Sequence, residues 1–171
     1  MTMAVKSGES GDLSAASLAA IDREVAKYPK GRQASAVMSA LRIAQKEKGW
    51  LSAETIEYVA SYLHIPAIRA LEVATFYNMY DLKPVGRHKL CVCTNLPCAL
   101  MGAEETAAAL KAALGVDFGG TTADGEWTLK EGECFGACAD APLVIVNNEK
   151  MHEKITVDKI PQFLAKLKGD G

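Results

Sequence analysis

The sequence predicts an α+β chain: an N-terminal antiparallel helical bundle followed by a small α/β layer. Three observations carry this. Residues 13–82 keep apolar positions at helical spacing, Asp81–Gly86 breaks the pattern, and residues 86–171 alternate strand-like runs with two further helices. The expected divisions are a disordered lead at 1–12, a helical bundle at 13–82 and an α/β domain at 86–171.

In the first half, Ser14 is placed to cap a helix whose apolar face is Leu18, Ile21 and Val25, ending before Tyr28-Pro29. A second helix is expected from Gln33 to Lys48, because Ala34, Val37, Met38, Leu41 and Ala44 share one face, and Gly49 stops it. Ser52 caps a third helix with Ile56, Val59, Ala60 and Leu63 inward. Pro66 suits the first turn of a fourth, running to about Met79. Short connections between such helices imply antiparallel neighbours.

Beyond the break, Arg87–Thr94 reads as a strand, with Leu90 and Val92 on one face and Cys91 and Cys93 on the other. Ala103–Leu114 is an alanine-rich helix closed by Gly115, and Phe118–Glu126 a glycine-rich loop. Trp127–Glu133 and Leu143–Val146 are strands, Met151–Ile155 is a hairpin partner, and Asp158–Leu167 is a closing helix.

Composition narrows the function. The chain has 171 residues, a formal net charge of −2 and no basic run, so nucleic-acid binding has no electrostatic support. No segment has the long uncharged apolar stretch that a membrane span needs. The N-terminus lacks the pattern of a signal or transit peptide, which places the chain in the cytosol. Five cysteines in that setting argue against a disulfide framework.

Four of those cysteines form two tight pairs, Cys93-x4-Cys98 and Cys134-x3-Cys138, each where a strand-like run breaks. Thiolates are soft ligands, and four together suit an iron–sulfur cluster or zinc. A 2Fe–2S cluster needs two pairs of thiolates, one pair per iron, and two short loops supply that directly. Such a cluster is anionic and needs backbone N–H groups aimed at it. Gly136 and Ala137 are small enough to let amides approach the sulfurs.

Zinc is the main alternative, although structural zinc sites favour tighter C-x2-C knuckles. A redox dithiol expects C-x2-C at a helix start, which neither pair has. Cys91 is left over and reads as a small buried hydrophobe, with a ligand role as the alternative. His64, His88 and His152 have no metal-like spacing and read as surface or satisfied histidines. Glu131, Glu133 and Asp140 read as solvent-facing, and Gly119-Gly120 forms no nucleotide-binding pattern.

With VCTNLPC (Val92 to Cys98) and ECFGACADAP (Glu133 to Pro142) in place, the chain resembles the thioredoxin-like 2Fe–2S subunit family of NADH:quinone oxidoreductase, respiratory complex I. The stretches EKGWLS (Glu47 to Ser52), EVATFYNMY (Glu72 to Tyr80) and KPVGRHKL (Lys83 to Leu90) carry the resemblance outside the cysteine loops. It covers roughly residues 15 to 168. Phe135 departs from it, since the family commonly has Leu or Met there.

The resemblance implies a thioredoxin-like second domain and one 2Fe–2S cluster on Cys93, Cys98, Cys134 and Cys138, with Cys91 outside the set. It also implies pairing with a larger flavoprotein subunit that holds FMN and NADH, and with further complex I peripheral-arm subunits. The chain would then lie in the cytoplasm, peripheral to the inner membrane, and no side chain would act as acid, base or nucleophile. The same module occurs in NAD-reducing hydrogenases and NAD-dependent formate dehydrogenases, which stay open as hosts.

Overall fold

The computed structural model describes residues 11–169 and divides the chain into two compact units, Met1–Pro84 and Val85–Gly171. The disordered lead expected at 1–12 lies almost wholly outside the described residues.

The first unit holds α1 (Ala15–Val25), a 3-10 turn at Gln33–Ala36, α2 (Val37–Lys48), α3 (Ala53–Tyr62) and α4 (Ala67–Phe76). Ser14 caps α1 by accepting from the Ser17 amide at 3.3 Å, and the Glu47 carboxylate accepts from the Ser14 amide at 3.0 Å and its hydroxyl at 2.8 Å. These serine contacts, from Ser17 and Ser14, hold the Glu47 carboxyl below the usual carboxylate range. Ser52 caps α3 through the Thr55 amide at 3.1 Å, and α2 stops at Gly49, whose φ of +82° favours a residue without Cβ. The expected inward faces meet: Ile21, Leu41, Ile56, Val59, Leu63, Ala70 and Ala74 share one buried core.

Two boundaries differ from the sequence expectation. The segment Gln33–Ala36 is 3-10 rather than α. Helix α4 ends at Phe76 instead of Met79, because Tyr77 turns extended and directs the chain so that the buried Tyr80 hydroxyl donates to the Met38 carbonyl at 2.8 Å. Gln45 fastens the same connector: its Nε2 donates to the Met79 carbonyl (3.0 Å) and its Oε1 accepts from the Asp81 amide (2.7 Å).

The second unit is a four-stranded mixed sheet of order β2-β1-β3-β4, with β1 His88–Cys93, β2 Trp127–Gly132, β3 Val144–Val146 and β4 Lys150–His152. Strands β1 and β2 are parallel, which requires a crossover, here α6 (Ala103–Leu114). Strand β3 runs antiparallel to β1, and β4 antiparallel to β3. Leu90, Val92, Leu110, Leu129, Val144 and Phe163 of α7 (Ile160–Gly169) fill the core beside the sheet. The buried Thr106 hydroxyl on α6 donates to the Ile155 carbonyl at 2.8 Å.

Three details depart from expectation. Strand β4 stops at His152, short of Ile155, since Lys154 takes a φ of +53° that no strand continues. The closing helix begins as a 3-10 turn at Val157–Lys159. A four-residue helix, α5 (Leu96–Ala99), interrupts the stretch between β1 and α6.

Candidate metal centre

Strands β1 and β2 end side by side, with Cys93 directly opposite Gly132 in the parallel register. The two cysteine loops therefore leave from the same edge of the sheet, at the carboxyl ends of adjacent parallel strands. Ligand sites in open α/β sheets gather at such ends.

The first loop is held on both sides. The Cys93 amide donates to the Leu143 carbonyl at 3.1 Å, and the Thr94 amide to the Gly132 carbonyl at 3.0 Å. The Thr94 hydroxyl donates to the Glu131 carboxylate at 2.8 Å, which gives this acidic residue a fastening role beyond facing solvent. Within α5 the Cys98 amide donates to the Asn95 carbonyl at 2.8 Å. Cys93 and Cys98 are each only 1% exposed, and they share a small apolar cluster with Ala103, Ala141 and Leu143.

The second loop is more open. Cys134 and Cys138 are exposed, and a 3-10 turn runs from Cys138 to Asp140. Gly136 adopts a φ of +75°, and its amide donates to the Cys134 sulfur at 3.3 Å. A backbone N–H on sulfur is what a thiolate ligand to an anionic cluster needs. The Asp140 carboxylate pairs with Lys154 at 3.2 Å.

Cys98 carries the influence of the other three. Burial first, then a hydrogen bond with Cys93 and the charges of Cys93, Cys138 and Cys134, push the Cys98 thiol up to about 11. No disulfide joins any of the five cysteines. Among the described residues, no group of three or more His, Cys, Asp or Glu side chains is arranged to hold a single metal ion. The donor set, the amide on the Cys134 sulfur and the two strand-end loops fit a 2Fe–2S group.

Histidine enters neither loop. His88 is buried against Trp127, ring centroids 4.8 Å apart, with its Nε2 lacking a hydrogen-bond partner, so it is neither a surface nor a satisfied residue. His152 lies edge-on to Phe163 at 5.0 Å. Spacing along the chain did not reveal α5, nor the exposed apolar rim of Leu96, Leu100 and Met101 around the first loop. The run of Leu-Pro-Cys-Ala-Leu-Met was the available signal for that rim.

The sequence signature of thioredoxin-like [2Fe-2S] ferredoxins matches residues 21–168. The chain belongs to that family. It is 44% identical over 147 residues to the E subunit of the NADH-quinone oxidoreductase of Rickettsia conorii, covering 85% of this chain and 87% of the relative. The corresponding protein of Rickettsia bellii is 42% identical over the same length and shares. Among solved structures, an NAD+-reducing [NiFe]-hydrogenase in its air-oxidized state superposes with a TM-score of 0.67 at 19% identity. That match covers 78% of this chain but only 23% of the hydrogenase chain, and at this identity it speaks for the fold alone.

Proposed function

We propose that this chain is the electron-transfer subunit of the NADH dehydrogenase module of an NADH:quinone oxidoreductase. The observation that carries the reading is the placement of the cysteines. Two loops at the ends of adjacent parallel strands bring Cys93, Cys98, Cys134 and Cys138 within electrostatic reach, in a chain of the 2Fe–2S family. The likeness to the two Rickettsia proteins across most of both lengths supports the host assembly.

In this reading Cys93 and Cys98 hold one side of the cluster from the buried loop, and Cys134 and Cys138 hold the other from the open loop. A bound cluster supplies storage for a single electron. The chain supplies the rest. The Gly136 amide donates to the Cys134 sulfur, and the apolar cluster around Cys93 and Cys98 keeps water from those two sulfurs. Loading displaces protons from the thiols, against the burial that favours the protonated form of Cys98.

The finer assignments follow from the same reading. The first-unit helices act as an antiparallel bundle at 13–82 that docks a larger FMN- and NADH-binding flavoprotein, and 86–171 is the cluster domain. Other peripheral-arm subunits complete the assembly on the cytoplasmic side of the membrane. Among the described residues no helix is long and apolar enough to cross a membrane. The same module in an NAD-reducing hydrogenase or an NAD-dependent formate dehydrogenase is the alternative host, the weaker choice beside relatives matched across most of both lengths.

Anaerobic reconstitution of the full chain with iron and sulfide tests the ligand reading. The expected product is brown, with iron and sulfide in a ratio near one. A colourless chain that takes up stoichiometric zinc and no sulfide would identify a metal-stapled interaction module instead.

A further inference from the structure

Two glycines flank the second cysteine loop for different reasons. Gly136 has a left-handed backbone, and a Cβ there would meet open space. Gly132 is the reverse. Its φ lies outside the left-handed region, so the strand itself does not require glycine, yet a Cβ would fall 2.5 Å from Phe135 Cζ, 2.8 Å from Phe135 Cε1 and 2.8 Å from the Cys91 sulfur. The ring fills the space that any side chain at Gly132 would take. Real Cβ atoms do not approach aromatic carbons so closely, and neither strand backbone nor a packed ring yields easily.

The place that the ring occupies is specific. Gly132 is the register partner of Cys93, and its carbonyl accepts from the Thr94 amide at 3.0 Å. Phe135 itself lies between Cys134 and Gly136, half-buried, and packs with Cys93, Cys98, Ala141 and Leu143. The ring thus joins the open loop to the strand end beside the buried one. Cys91, on the same strand face as Cys93, brings its sulfur to the edge of the same space, so a side chain at 132 would meet it as well as the ring.

We propose that Gly132 and Phe135 are a size-matched pair, and that Phe135 is a positioning residue whose ring fixes the Cys134–Cys138 loop and screens one side of the cluster from water. The proposal rests on the four-cysteine ligand reading. The glycine at 132 and the phenylalanine at 135 are then a joint adaptation: the larger ring requires the missing Cβ.

The test uses the full chain and four variants: Gly132→Ala, Phe135→Leu, Phe135→Ala, and Gly132→Ala with Phe135→Leu. In metal-free protein, thermal unfolding of the second unit reads the pair directly. Gly132→Ala lowers the midpoint clearly when Phe135 is present and much less when Leu stands at 135, a non-additive result. In reconstituted protein, Phe135→Ala and Gly132→Ala each lose the cluster to a chelator faster, by about tenfold.

Both also raise the reduction potential, because admitted water favours the more negatively charged reduced form. The double variant returns rate and potential toward the parent. Equal damage by Gly132→Ala in both backgrounds would overturn the pairing. An unchanged potential and loss rate in Phe135→Ala would overturn the positioning role. Should the parent chain itself take up no iron and sulfide, the ligand reading fails, and the metal-free cycle still decides the pairing. Where Gly132→Ala does not fold, recovery of folding in the double variant supports the pair and continued failure refutes it.

Discussion

Gln45 is a buried amide whose two ends are both spent on the connector after α4, so replacing it by leucine isolates the cost of that arrangement. Leucine keeps much of the volume but leaves the Met79 carbonyl and the Asp81 amide without these partners. Each hydrogen bond is worth about 1 kcal/mol net, and an orphaned buried donor such as the Asp81 amide costs a further 1–3 kcal/mol or so. Greater apolar burial by leucine offsets part of this, which leaves a loss of about 3 kcal/mol. That is a large share of the roughly 5–15 kcal/mol that holds a domain together. With a urea slope of about 1 kcal/mol/M for a unit of this size, the midpoint should fall by about 3 M. The chain has two tryptophans, and only Trp50 lies in the first unit. Its fluorescence in a Trp127→Phe background therefore follows that unit alone. A midpoint displaced by less than about 0.5 M would refute the view that Gln45 anchors the connector.

Tyr80 gives the pH test. Burial foremost pushes its hydroxyl up to about 12 from an ordinary value of 10.0, so the folded chain favours the neutral form. The associated stability is complete below pH 10.0, falls as pH rises toward about 12, and amounts to on the order of 2 kcal/mol. Urea midpoints measured at intervals across this range should decline more steeply in the parent than in Tyr80→Phe, and parallel declines would contradict the assignment. For the ligand set, Cys91→Ala should leave iron and sulfide content unchanged after reconstitution, whereas Cys93→Ala should abolish cluster loading or shorten the cluster's life at least about tenfold. The reverse pattern would move the first ligand from Cys93 to Cys91.

The helices were legible because their signals are local. Ser14 and Ser52 cap where they stand in the sequence, Gly49 and Gly115 end α2 and α6, and the apolar spacing of α2 and α3 selects the side chains that meet in the core. The early end of α4 was not legible, since it depends on Tyr80 reaching the Met38 carbonyl 42 positions away in sequence. The strand pattern runs past the true end of β4 because Lys154 carries a backbone angle that its residue type does not announce. Helix α5 has only four residues, too few for an apolar period to announce it, although Pro97 in its first turn suits a helix start.

At the candidate site, cysteine spacing marked the loops, and the strand pattern placed Cys93 at a strand end. Spacing does not say which atoms touch across the loops. Gly132 looks like any strand glycine until Phe135 is seen in its missing side-chain position. The fastening of Thr94 by Glu131 likewise joins residues that only the parallel register brings together.

The most direct test of the central claim is electron paramagnetic resonance on the reconstituted full chain after one-electron reduction. The expected result is a single half-integer-spin signal integrating to about one spin per chain, retained in Cys91→Ala and lost from each of Cys93→Ala, Cys98→Ala, Cys134→Ala and Cys138→Ala. A silent spectrum from parent protein that carries zinc in place of iron and sulfide would contradict the account.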